Sequence, residues 1–184
     1  KEVTNLRAAF GAKDISARRK KELVVRTMYC EMLGQDASFG HIHAVNMTQE
    51  RGLHEKRTGY LAACLFLHSE HELLILLVNT IQRDMRSGNP YEVCVALSAA
   101  TRLISTETIP AVLPQVVELL NHNNENVRKK AVMVLHRFSQ MSPDCVEDLT
   151  DHFRRALCDR DPSVMAASLC VLFELIKHDS TQFK

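Results

Sequence analysis

The chain has 184 residues, and its 23 lysines and arginines against 22 aspartates and glutamates leave a formal net charge of only +1. This balance argues against a nucleic-acid binder with a broad basic face. No stretch approaches the ~20 apolar residues of a membrane-spanning helix, and six dispersed cysteines without a CxxC pair are typical of reduced thiols in a cytosolic protein.

Apolar residues recur at helical spacing along the whole chain, and no segment alternates as a half-buried strand does. We therefore predict an all-α protein of about nine helices. The predicted segments are 1–13, which is the end of a first helix, then 17–33, 39–50, 54–68, 71–86, 90–105, 107–121, 124–140, 143–157 and 162–177. Gly34 is the predicted C-terminal cap of the second segment. We expect Pro114, four residues after Pro110, to kink its helix or delay its onset.

A sequence pattern recurs along the chain: a polar capping residue precedes a helix, and the buried side of that helix carries a small residue. Prolines at a first helical position mark the starts at Pro90, Pro143 and Pro162. The small residues are Gly59, Ala96, Ala131 and Ser168, at spacings of 37, 35 and 37. Because each such helix must bury its apolar face on a neighbour, this period predicts a right-handed α-solenoid of HEAT- or armadillo-type repeats.

The sequence contains no motif that indicates catalysis. It has no P-loop, no dinucleotide-binding glycine motif, no HExxH and no nucleophile elbow, so we predict a non-enzymatic protein without metal or cofactor. His41 and His43 diverge by about 200° on a helix and cannot share one ion. His68 and His71 lie beside a turn, where solvated histidines are the favoured interpretation over a zinc site.

The densest positive cluster is Arg18-Arg19-Lys20-Lys21. One interpretation is the solvated start of a helix. The other is a site for anionic lipid, because cations in a first turn oppose the helix macrodipole and so are not there to stabilise their own helix. Two other basic groups lie at helix starts, where HEAT-type repeats often carry basic residues, and we interpret them as part of the repeat. They are Lys56-Arg57 and Arg128-Lys129-Lys130.

Several short sequence motifs show a resemblance to a known family. In chain order they are Met32-Leu33-Gly34, Phe39-Gly40, Ala44-Val45-Asn46, Glu55-Lys56-Arg57, Gly59-Tyr60-Leu61, Leu77-Val78-Asn79-Thr80-Ile81 with Asp84, and Arg128-Lys129-Lys130-Ala131. This series resembles the N-terminal trunk of the large subunits of clathrin-adaptor protein complexes, over nearly the whole chain. Within that family, stretches such as 29–34, 36–39 and 156–161 are most similar to the epsilon type, that of the fourth complex.

The resemblance implies a heterotetramer in which the chain partners a small, a medium and a second large subunit. Such complexes are recruited from the cytoplasm to trans-Golgi network and endosomal membranes by an Arf-type GTPase in its GTP form, and they sort transmembrane cargo through its cytoplasmic tails. The positions that match a relative's GTPase-docking patch are Ile42, Val45 and Leu76. The same three residues are also compatible with ordinary solenoid packing.

The resemblance also bears on lipid binding and on the extent of the chain. A relative's phosphoinositide-binding lysines fall near Lys20 and Lys21, but Glu22 stands where a third lysine is expected. Residues 1–184 are predicted to be one segment of a longer subunit's trunk. Another HEAT-repeat scaffold, or a gamma- or alpha-type large subunit, is the alternative. A karyopherin-type peptide binder is disfavoured because the chain has no tryptophan.

Overall fold

A computed structural model describes residues 1–12, 14–68, 71–144 and 149–178. These residues divide into two compact units, Lys1–Ile81 and Gln82–Lys184. The described part contains ten α-helices and no strand, so the all-α prediction is confirmed with one helix more than the estimate. The helices are α1 (Glu2–Phe10), α2 (Ala17–Met32), α3 (His41–Thr48), α4 (Leu53–Phe66), α5 (Leu74–Met85), α6 (Pro90–Leu103), α7 (Ile109–Leu119), α8 (Glu125–Met141), α9 (Thr150–Ala156) and α10 (Pro162–His178).

Side-chain caps explain why three of these helices begin where they do. The Asn89 side chain accepts a hydrogen bond from the Tyr91 amide at the start of α6, and Asn124 does the same for α8. Asp161 accepts from the Ser163 amide at the start of α10. Each cap satisfies an amide that has no partner within its helix. The starts predicted at Pro90 and Pro162 are confirmed.

Three other sequence predictions have mixed outcomes. Gly34 has a φ of 75°, the left-handed conformation that ends α2 as predicted. The α7 helix runs without interruption through Pro114, so the predicted delay of its onset is wrong. The helix start predicted at Pro143 is corrected as well, because residues 143 and 144 form a 3₁₀ turn and α9 begins at Thr150.

In the first unit, α4 packs against both α2 and α3, and α1 packs against α2. Gly59 of α4 shows why a small residue is needed at this crossing. A Cβ atom on Gly59 would lie 2.6 Å from the Thr48 nitrogen and 2.8 Å from the Met47 carbonyl carbon, both of which are backbone atoms of α3. The glycine thus lets two helix backbones approach more closely than any side chain would allow.

In the second unit, α8 packs against α6, α7 and α10, and α10 also packs against α9. The contacts of α6 with α8 and of α8 with α10 each join a helix to the next-but-one helix along the chain, which is the arrangement of stacked two-helix repeats. The small residues predicted for the buried stripe, Ala96, Ala131 and Ser168, are all fully buried. The helical-repeat fold class is confirmed.

Arg128, at the start of α8, links separate segments of the second unit through hydrogen bonds. Its Nε and Nη2 donate to the two carboxylate oxygens of Asp159 at 2.7 Å each, and its Nη1 donates to the carbonyls of His122 and Asn123. The hydrogen bonds from Arg128 hold the pKa of the Asp159 carboxyl below its usual range. One buried guanidinium thus joins the start of α8 to the α7–α8 loop and to the turn that follows α9.

Candidate functional site

The three residues predicted to dock a GTPase all lie in the first unit, and they do not share one environment. Ile42 on α3 is 40% exposed and Leu76 on α5 is 50% exposed, whereas Val45 on α3 is only 1% exposed. Ile42 and Val45 are three residues apart and so lie about 60° apart around the helix. That rotation carries Val45 from the surface into the core.

Val45 is therefore corrected from a surface contact to a packing residue. A side chain that exposes almost no surface can touch a partner only if α3 moves, and α3 is packed along α4. The packing interpretation left open by the sequence holds for Val45. Ile42 and Leu76 remain available to a partner, and the neighbouring Ile75 is also exposed.

The basic cluster divides into two pairs of side chains. Arg19 forms an ion pair with Glu22, with Nη1 and Oε1 2.6 Å apart, and Lys20 lies 3.8 Å from Glu50. The hydrogen bond from Arg19 lowers the pKa of Glu22. The side chains of Arg18 and Lys21 form no hydrogen bond or ion pair with any described residue. Since they are three residues apart on α2, these two charges share one helix face.

Exposed apolar side chains form stripes on α2 and α4. Val25, Tyr29 and Met32 follow one another at helical spacing along α2, and Leu61 and Leu65 do so along α4. The two helices contact each other. Each stripe exposes several apolar side chains along one helix, unlike the isolated apolar residues of an ordinary protein surface, and exposed apolar surface of this kind marks interaction sites.

The second unit carries a similar stripe on its last helix. Met165, Leu169, Phe173 and Ile176 of α10 are exposed, and they recur at helical spacing while the opposite side of the helix packs on α8 and α9. Sequence reasoning recognised the apolar pattern of α10. The same reasoning could not separate the residues that face the neighbouring helices from those that face outward.

The two histidines predicted not to share an ion, His41 and His43, lie in different environments. His41 stacks on Phe66 with ring centroids 5.0 Å apart, its Nε2 is buried without a hydrogen-bond partner, and burial lowers its pKa. His43 stacks on Phe10 at 4.0 Å. The two side chains thus contact different helices, as their predicted divergence requires. In the part of the chain that the structure describes, no group of three or more metal-binding side chains could hold an ion.

The cysteines and the hydropathy of the helices complete the description. Cys30, Cys64, Cys94, Cys158 and Cys170 are free thiols, and Cys145 lies outside the described residues. Burial raises the pKa of the Cys94 thiol, which makes it a weaker nucleophile at neutral pH. Of the helices in the described ranges, none is both long and apolar enough to cross a membrane.

Comparison with known proteins gives a consistent family. The profile described as "Adaptin N terminal region" matches residues 1–184. The chain is 57% identical to AP-4 complex subunit epsilon of Arabidopsis thaliana over 183 residues, which is 100% of this chain and 20% of that protein. It is 49% identical to AP-4 complex subunit epsilon-1 of Homo sapiens, over 100% of this chain and 16% of that protein.

The structural comparison agrees with the sequence comparison. A chain in a homology model of the full-length AP-3 complex in an intermediate open conformation superimposes with a TM-score of 0.79 and 27% identity, covering 91% of this chain and 30% of that one. The chain therefore spans a fifth or less of the length of these curated relatives. The resemblance to the epsilon type, predicted from short phrases, is confirmed.

Proposed function

The chain belongs to the adaptin N-terminal family, and from that premise we propose that it is part of a non-enzymatic large subunit of a heterotetrameric vesicle-coat adaptor complex. The two curated relatives described above are named as epsilon subunits of the AP-4 complex. The proposed role is to sort transmembrane cargo on the cytoplasmic side of trans-Golgi network and endosomal membranes. No catalysis, metal or cofactor enters this role.

The observation that carries the proposal is the exposed apolar surface of α2 and α4. Tyr29, Met32 and Leu61 are each more than half exposed, although burying a side chain of this kind is worth about 1.5–3 kcal/mol. A subunit of an obligate complex keeps such a surface for its partners. We propose that the small subunit covers this stripe and that the medium and second large subunits complete the assembly.

Recruitment to the membrane is assigned to a separate surface. Ile42 and Leu76 are the exposed members of the predicted patch, and we propose that they contact an Arf-type GTPase in its GTP form. The switch regions of such a GTPase are ordered only while the γ-phosphate is present, so an apolar patch on the adaptor can report the nucleotide state. Arg18 and Lys21, the unpaired members of the basic cluster, would then meet the anionic membrane surface.

The test uses two acidic substitutions with a matched control and two measurements. Leu76→Glu and Ile42→Glu should reduce GTP-dependent recruitment of the assembled complex to membranes about tenfold or more, because truncating a central anchor costs about 1–4 kcal/mol. Ile75→Glu is the control, since it places the same charge on the adjacent exposed position of α5. Copurification of the small, medium and second large subunits should be unchanged in all three variants.

The assembly surface has its own variant. Tyr29→Glu should release the small subunit while the isolated chain keeps its helical content by circular dichroism. The proposed function fails if no adaptor subunit copurifies with the wild-type chain. The GTPase assignment fails if recruitment survives Leu76→Glu, or if Ile75→Glu reduces recruitment equally.

A further inference from the structure

A polar cleft of about 300 Å³ lies in the second unit. Three segments line it: the α7–α8 loop, one side of α9, and the turn that precedes α10. The side chains used below are His122 from the first, His152 and Arg155 from the second, and Arg160 from the third. Arg128 and Asp159 also line the cleft and are joined to each other.

The charges around this cleft are unequal. Asp159 is its one acidic side chain among the described residues, and the bidentate pair with Arg128 neutralises that carboxylate. The side chains of Arg155 and Arg160 make no hydrogen bond or ion pair with any described residue, Arg160 acts on Asp159 only through longer-range electrostatics, and both are exposed. Two free guanidinium groups and two imidazole rings thus border a concave surface. Cations gathered around a cleft focus the field and attract an anion.

The geometry also favours one kind of anion. Most of the N–H donors of Arg128 are occupied by Asp159 and two backbone carbonyls, so this residue fixes the floor of the cleft. Arg155 and Arg160 are free to donate from two different segments. Guanidinium groups match the oxygens of a phosphate in paired hydrogen bonds, and a dianionic phosphate can be shared between two of them. The volume is at the lower limit for small-molecule sites.

We propose that this cleft binds the phosphate group of a ligand, held by Arg155 and Arg160 with the two histidines beside them. The phosphate is carried either by a soluble molecule or by the headgroup of a membrane lipid, and inositol phosphates are the probes for both. The site goes beyond the proposed function and does not depend on it, since phosphate binding is measured on the chain itself whether or not adaptor subunits assemble.

The test is isothermal titration of the full chain with inositol hexakisphosphate. The double variant Arg155→Gln with Arg160→Gln should weaken binding about tenfold or more, since the charged hydrogen-bond donors from both segments are lost. The single variant Arg155→Gln is compared with its matched control Arg154→Gln, which likewise removes one positive charge from α9, but at a residue that pairs with Asp151 and does not line the cleft. A double variant to lysine keeps the charges and should retain part of the affinity.

Flotation with phosphatidylcholine vesicles separates the two sources of the ligand. Binding to vesicles doped with a phosphatidylinositol phosphate, but not to vesicles of equal charge made with phosphatidylserine, supports the lipid headgroup. Titration with the soluble ligand and no such vesicle preference supports the free inositol phosphate. The proposal is overturned if the wild-type chain binds no inositol hexakisphosphate, or if Arg154→Gln weakens binding as much as Arg155→Gln does.

Discussion

Replacing Arg128 with methionine should be among the most destabilising single changes in the second unit. Arg128 and Asp159 have side chains only 10% and 13% exposed, and methionine retains much of the aliphatic stem while removing the guanidinium. The substitution leaves the Asp159 carboxylate and the carbonyls of His122 and Asn123 without their donors. Buried polar groups that lose a partner incur their full desolvation cost.

The expected loss is about 3 kcal/mol of unfolding free energy, at the lower end of the 3–5 kcal/mol that breaking a buried ion pair costs. The lower end applies because Asp159 still accepts a hydrogen bond from the Asp161 amide at 2.8 Å. With a urea m-value of about 1–3 kcal/mol/M, the midpoint of unfolding should fall by roughly 1 M or more. Combining Arg128→Met with Asp159→Asn should recover part of the loss, because the uncompensated charge is then gone.

The pH dependence provides an independent check. The pKa of Asp159 is lowered in the folded state, chiefly by its hydrogen bonds with Arg128, so the pair stabilises the fold fully above the unfolded pKa of about 4. That contribution is lost as the pH falls through the folded pKa. The difference between wild type and Arg128→Met should therefore be constant from neutral pH to about pH 5 and shrink in more acidic solution.

Arg154→Met is the control for these measurements. Arg154 and Asp151 are 3.6 Å apart with side chains 60% and 75% exposed, and an exposed pair of this kind contributes about 0–1 kcal/mol. Equal losses for Arg128→Met and Arg154→Met would refute the reasoning, as would a difference from wild type that persists undiminished at acid pH.

Two further predictions concern the first unit. Gly59→Ala should lower stability by about 1–3 kcal/mol in thermal unfolding, because the added Cβ would meet the backbone of α3. The control Gly88→Ala should be close to neutral, because no atom lies within 4 Å of its Cβ. Equal melting temperatures for the two variants would contradict this prediction. Replacing Arg18 and Lys21 by serine should weaken binding of the assembled complex to anionic vesicles by about 1 kcal/mol per residue, and replacing Arg19 and Lys20 should do less, with both effects fading as salt rises. Equal losses from the two pairs at low salt would contradict the division of the cluster.

Most of the fold follows from local signals in the sequence. Caps such as Asn89 and Asp161 act within a few residues, and a small residue once per repeat reports where two helices cross, so helix starts and the repeat could be predicted together. The error at Pro143 has the same local origin. Proline at that position suits a first α-helical turn and a 3₁₀ turn equally well, and only tertiary packing decides between them.

The candidate sites were harder to predict because a site is defined by what its residues face. Ile42 and Val45 differ by a rotation of about 60°, and that rotation decides between a surface contact and the core. The polar cleft of the second unit gave no sequence signal at all. Its arginines come from separate segments brought together by the packing of α8, α9 and α10, and Arg155 adjoins Arg154, which pairs elsewhere.

The basic cluster also shows that the sequence does not reveal which groups a side chain faces. Four consecutive cations look alike in the sequence, yet Arg19 and Lys20 form ion pairs with Glu22 and Glu50 while Arg18 and Lys21 form none with any described residue. Glu22 is local, but Glu50 lies beyond α3, at a separation that no pattern within the cluster encodes. The charge available to a membrane is therefore set by the fold that supplies the neutralising acids, and a run of cations in a sequence gives only its upper limit.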